Sequence, residues 1–174
     1  MRLLLLVLTL ISVPAVAQHA NHGDHAPSPY AADADRAIKA LSADEVDGLL
    51  GGQGLGLARA AELNSYPGPL HALELADSLG LDATQRAETA RIRTAMTAEA
   101  QALGEQIVDA EGHLDALFSD GHATDDAVDR MTAHIGALRG RLRATHLRAH
   151  VALAGVLTEE QRAAYDRLRG YTSD

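Results

Sequence analysis

Nine histidines and no cysteine make imidazole the side chain with the most chemical scope in this chain. His19, His22 and His25 are spaced H-x-x-H-x-x-H, with Asp24 beside them. Neutral imidazoles are ligands for Zn, Ni and Cu. The segment is therefore able to wrap a cation, although its composition equally suits an unstructured, solubilising leader. His146 and His150 are four positions apart, which places them on one face of a helix. That pair can chelate, but the glutamate of an H-E-x-x-H zinc protease is missing, and two ligands leave a tetrahedral zinc site incomplete. A second copy of the chain, or a side chain such as His71, would have to complete it. The plainer reading has both residues flanking a helix seam with their polar edges in water. His113, His122 and His134 are scattered and read as surface residues.

Other chemistries fail on what the sequence omits. There is no cysteine nucleophile, no G-x-S-x-G and no strand pattern to present one, so no enzyme is expected. The glycine-rich order G-G-Q-G-L-G from Gly51 to Gly56 lacks the GK[ST] ending and the preceding strand of a phosphate loop. It reads as a flexible or closely packed helix junction. A net charge of −9 argues against nucleic acid as a partner.

The first residues read as an export signal. Arg2 precedes an apolar run from Leu3 to Val13, Pro14 breaks it, and Ala15-Val16-Ala17 is a cleavage site. The run is too short to span a bilayer, so stable membrane insertion is not expected. Cleavage after Ala17 would deliver residues 18–174 to the periplasm. Residues 18–40 then form a disordered, histidine-bearing leader, and residues 41–170 form a single helical domain. Aromatic residues make up only 3% of the chain, which favours thin layers of Ala- and Leu-rich helices over a thick core.

Within that domain, Ser42 and Glu45 form a capping box, stapled by Leu41 and Val46. Leu55, Leu57, Ala58, Ala61 and Leu63 resume helical spacing after the glycines. Tyr66-Pro67-Gly68-Pro69 predicts a type II turn centred on Pro67 and Gly68, with Pro69 opening a helix that carries Leu70, Leu73, Leu75, Ala76 and Leu79 and ends at Gly80. From Met96 the apolar series runs Ala100, Leu103, Ile107, Ala110, Leu114 and Leu117. After a break at Gly121 and a cap at Thr124 it runs Val128, Met131, Ile135, Leu138, Leu142, Thr145, Ala149, Ala152 and Val156. Alternating steps of three and four are heptad spacing. They predict a long antiparallel hairpin of two helices, each about 50 Å long. Met96 and Met131 occupy seam positions and read as core.

Charge supports that pairing. Nine acids and no Lys or Arg lie between Thr94 and Asp129, whereas five Arg and no acid lie between Arg130 and Leu157. Glu99, Glu105, Asp109, Glu111 and Asp115 are expected to face Arg148, Arg143, Arg141, Arg139 and Arg130, setting register rather than supplying much stability.

Two pentapeptides bracket the hairpin: Leu81-Asp82-Ala83-Thr84-Gln85 and Leu157-Thr158-Glu159-Glu160-Gln161. Each is a helix start in which an oxygen-bearing cap residue and a Gln three positions on exchange hydrogen bonds. This pair resembles the LTxxQ-motif family of periplasmic proteins, which includes Spy- and CpxP-like chaperones and heavy-metal sensors such as ZraP and CnrX. The second copy matches fully, and the first has Asp82 where the family usually has Thr. The resemblance implies an all-α homodimer in which two hairpins interlock into a cradle. It further implies ATP-independent protection of unfolded or misfolded periplasmic proteins, with no cofactor required. Arg130, Arg139, Arg141, Arg143 and Arg148 would then form the charged part of a client surface. The alternative within the resemblance is a sensor or buffer of Zn, Ni or Cu. A third possibility is an adaptor docking on an envelope-stress sensor kinase.

Overall fold

The computed structural model describes residues 27–172. The signal segment, His19, His22, His25 and the cleavage site after Ala17 lie outside the described residues. The chain divides into two compact units after Ala31. On the N-terminal side of that division, the described residues make a turn closed by the Ala31 N–H donating to the Ser28 carbonyl at 2.9 Å.

From residue 32 onward the described residues are helical with no strand. The helices are α1 (Ala43–Leu50), α2 (Arg59–Glu62), α3 (Pro69–Glu74), α4 (Ala83–Ser119), α5 (Asp125–Ala154) and α6 (Glu159–Leu168). At 1.5 Å per residue, the 37 residues of α4 and the 30 of α5 make rods of about 55 and about 45 Å. They pack antiparallel along the heptad series, and α1 and α3 pack against α4.

The apolar residues fall into two clusters. One joins Leu41 and Leu49 to Ala100, Leu103, Ile107, Ile135, Leu138 and Leu142, with Met131 at its margin. The other gathers Ala72, Ala76, Leu79, Leu81, Ile92, Ala149, Leu153, Leu157 and Tyr165, with Met96 at its margin. Where α1 crosses α4 the backbones nearly touch, because a Cβ at Gly104 would overlap the Leu49 carbonyl.

Several expectations give way to tertiary partners. No type II turn forms at Pro67-Gly68: Gly68 is extended (φ −84°, ψ 137°) and caps α3. The reason is a bond from the Gly68 N–H to the Tyr165 hydroxyl, 97 residues away, at 3.2 Å. Helical spacing from Leu55 produces only the single turn Arg59–Glu62, because Leu55 (φ 44°) and Gly56 (φ 73°) turn the chain first. The α3 helix ends at Glu74 instead of reaching Leu79, and turns carry the chain to Gly80 (φ 61°). On α5 the buried row passes from Ala149 to Leu153, leaving Ala152 exposed. A straight helix drifts about 20° per heptad from a 3.5-residue repeat, and the row slips by one residue at its end.

Two of the five expected cross-pairs form. Arg148 pairs with Glu99 at 3.3 Å and Arg139 with Glu111 at 2.7 Å. Asp115 is instead taken by Lys39 at 3.2 Å, and Arg130 bonds Asp126 on its own helix. Among the described residues, Glu105, Asp109, Arg141 and Arg143 form no ion pair.

Candidate functional site

Three features carry the residues singled out by their sequence: a polar clasp between the twin helix starts, a cleft that receives the buried histidines, and the outer surface of α5.

At the clasp, Leu81 and Leu157 are buried in the same apolar cluster and so bring their capping boxes together. Asp82 accepts from the Gln85 N–H at 2.8 Å, and the Gln85 side-chain carbonyl accepts from the Asp82 N–H at 3.1 Å. Thr158 and Gln161 repeat the exchange at 3.2 and 2.9 Å. The two amides then meet. Gln85 Nε2 donates to Gln161 Oε1 at 2.8 Å, and Gln161 Nε2 donates to Gln85 Oε1 at 3.0 Å. The second protons go to the Val156 carbonyl at 3.1 Å and the Leu79 carbonyl at 3.4 Å. Every donor of both amides is used, which leaves this arrangement for architecture rather than for holding a ligand.

The cleft has a volume of about 630 Å³ and lies between the glycine-rich turn, the 62–71 strap and the hairpin. His71, Met96, His146 and His150 all line it. His146 and His150 are 3% and 6% exposed, so the expectation of wet polar edges is corrected: both are buried, and the strap lies against His150. His150 Nδ1 donates to the Tyr66 carbonyl at 2.7 Å and lies 3.5 Å from Glu62. A Cβ on Gly68 would come within 3.1 Å of both the Glu62 carboxylate and the His150 ring, so glycine lets the strap lie this close. Glu62 in turn accepts from the hydroxyls of Tyr165 at 2.6 Å and Tyr171 at 2.9 Å, with Arg169 at 3.6 Å. Burial, and then the bond to Glu62, push the Tyr165 phenol well up from its ordinary range.

His146 has a different environment. Burial, and secondarily the nearby His150, hold its imidazole below the usual value, so it is neutral at neutral pH. Its Nε2 is buried with no hydrogen-bond partner. The His146–His150 pair suits the first two ligands of a borderline cation. His71 shares the cleft, but its Nδ1 bonds Glu74 at 2.8 Å. Among the described residues no three His, Asp or Glu side chains are grouped to hold a metal ion. Sequence reasoning missed Glu62, Tyr165, Tyr171, Arg93 and Arg169 as parts of this region. They come from α2 (Glu62), the long α4 (Arg93) and the end of α6 with the residues just after it (Tyr165, Arg169, Tyr171), with no shared spacing. The only available signal was two of the chain's four tyrosines close together at its end.

On α5, Arg130, Arg139, Arg141, Arg143 and Arg148 are all exposed. Opposite the buried row, the helical period places Ala133, Ala137, Gly140, Ala144, Leu147 and Val151 on one outer strip. Val151 is 60% exposed. Arg130, Arg141 and Arg148 follow one edge of that strip, and Arg139 and Arg143 follow the other.

Among the described residues no helix is long and apolar enough to cross a membrane. Neither the curated proteins nor the solved structures supply a match to the chain. The family model described as LTXXQ motif family protein matches residues 70–169, a span that starts in α3, contains the hairpin and both halves of the glutamine clasp, and covers more than half of the sequence. The chain therefore belongs to the LTXXQ motif family, the generally periplasmic, non-enzymatic helical proteins of the Spy/CpxP type.

Proposed function

We propose that this protein is an ATP-independent, chaperone-like holdase that binds unfolded or misfolded proteins of the cell envelope under stress. The observation that carries this reading is the outer strip of α5, where Ala133, Ala137, Gly140 and Val151 lie exposed and Ala144 and Leu147 half-buried between two rows of arginine. Arg141 and Arg143 have no ion-pair partner among the described residues, so their charge is free to attract acidic chain segments over a distance. The strip then offers short-range apolar contact. A strip of this kind imposes little sequence selection, which suits modest affinity, varied clients and release without an energy source. The hairpin would work as a homodimer, following the family resemblance. The test is light scattering from several unrelated denatured clients with equimolar protein. Suppressed aggregation supports the proposal, and unchanged aggregation for all of them rejects it.

A second reading, capture of Zn, Ni or Cu by a periplasmic sensor or buffer, is favoured by one observation. The Nδ1 bond of His150 to a backbone carbonyl leaves its Nε2 lone pair available, as is usual for a metal-ligating histidine. With His146 beside it, a third ligand from His71 or from a second copy would complete the site. Calorimetric titration decides: a dissociation constant weaker than about 0.1 mM, about −5.5 kcal/mol, marks incidental imidazole contacts. A sensor-kinase partner would be read from co-purification with the periplasmic domain of that kinase.

A further inference from the structure

The cleft beneath the strap has a composition opposite to that of the molecule around it. The chain carries a net charge of −9, yet the charged residues lining this cleft are Arg59, Arg93, Arg169 and a single acid, Glu62. Glu62 is already committed to two tyrosine hydroxyls and Arg169. Arg59 and Arg93 form no ion pair among the described residues. Between these cations the walls are apolar, with Leu55, Pro69, Leu70 and Met96. Leu55 and Leu70 are 47% and 39% exposed, although an apolar occupant would cover them. The volume of about 630 Å³ falls in the range of roughly 300–1,000 Å³ typical of small-molecule sites. One wall also holds a buried polar atom with nothing to bond: Nε2 of His146, in a residue only 3% exposed. A buried polar atom without a partner is destabilising and points to a ligand group that would satisfy it.

We propose that this cleft binds a small amphipathic carboxylate, of the medium-chain fatty-acid type, with its head between Arg93 and Arg59 and its tail against Leu55, Leu70 and Met96. As the Nε2–H tautomer, His146 donates to a carboxylate oxygen and gains the partner it lacks. The cations select the sign of the head, and the apolar wall selects the tail. This site lies apart from the outer strip of α5, so its failure leaves the holdase reading untouched.

The test is calorimetry on the whole secreted chain with decanoate below its micelle concentration, alongside acetate and decylamine. Saturable one-to-one binding of decanoate is expected, with acetate and decylamine at least tenfold weaker. Arg93→Gln, at an exposed position, keeps the fold and weakens decanoate at least tenfold. Proton NMR gives a second readout, in which decanoate shifts the His146 imidazole resonance. No saturable decanoate binding up to millimolar concentration overturns the proposal. So does equal affinity for decylamine, or an Arg93→Gln affinity equal to that of the parent.

Discussion

Gln85 and Gln161 bond each other through both amide groups, at 2.8 and 3.0 Å, across 76 residues of sequence. Each also closes its own helix cap. The same side chain therefore starts a helix and ties it to the other helix start, which explains why the two motif copies bracket the hairpin as a pair.

Truncating either glutamine leaves a cap N–H and the partner amide without bonds. Gln85→Ala and Gln161→Ala should each cost about 1–3 kcal/mol in urea denaturation. The double variant should cost clearly less than the sum, because the second truncation removes groups already orphaned by the first. Strict additivity would mean that the amides do not interact in solution.

Two glycines should respond with opposite signs. Gly104→Ala pushes a methyl into the Leu49 backbone, which neither helix can relieve by rotating a side chain. A loss of about 1–3 kcal/mol is expected from such overpacking. Gly136 lies within α5 with open space around it, so Gly136→Ala should stabilise by about 0.5–1 kcal/mol. Thermal midpoints of the two variants check both.

Tyr165→Phe deletes the hydroxyl that links Gly68 to Glu62. The buried Gly68 N–H and the Glu62 carboxylate each lose a partner, and a loss of about 1–3 kcal/mol should follow. Hydrogen exchange at the Gly68 amide should accelerate, whereas exchange in the middle of α4 should not.

Acid should weaken the fold through His146. Its folded pKa is depressed below the ordinary 6.5 by burial and by His150. The unfolded chain therefore binds the proton more readily. The stability this residue contributes is present above about pH 6.5 and is lost as the pH falls from there through the folded pKa. The slope is at most about 1.4 kcal/mol per pH unit for one proton. His146→Leu removes that proton uptake, so stability measured against pH should be flatter than in the parent over this window. Identical slopes would contradict the assignment.

Much of this architecture can be read directly from residue types and spacing. The alternation from Ala100 to Ala110 and from Ile135 to Ala149 is repeated by local geometry at every turn, and it marks the seam. The capping boxes at Ser42, Asp82 and Thr158 depend only on residues three positions apart, and each forms. What stays hidden depends on distant partners. Pro67-Gly68 satisfies the local grammar of a turn, but a tyrosine 97 residues on holds it extended. His150 looks like a flank position until the strap from Glu62 to Gly68 covers it. Asp115 has a plausible arginine opposite, yet Lys39 reaches it from a segment with no heptad pattern. The clasp lies between these cases: each half is visible in five residues, but their meeting is not.

The outer strip of α5 is the basis of the proposed role, and the aggregation assay with strip variants tests it most directly. Arg141→Glu combined with Arg143→Glu, and separately Val151→Asp, alter exposed positions and should leave the helical fold and its thermal midpoint nearly unchanged. The account predicts that the parent suppresses light scattering from denatured clients at equimolar ratio. It also predicts that each of these variants loses most of that suppression. Full protection by both variants, with the fold intact, would contradict it.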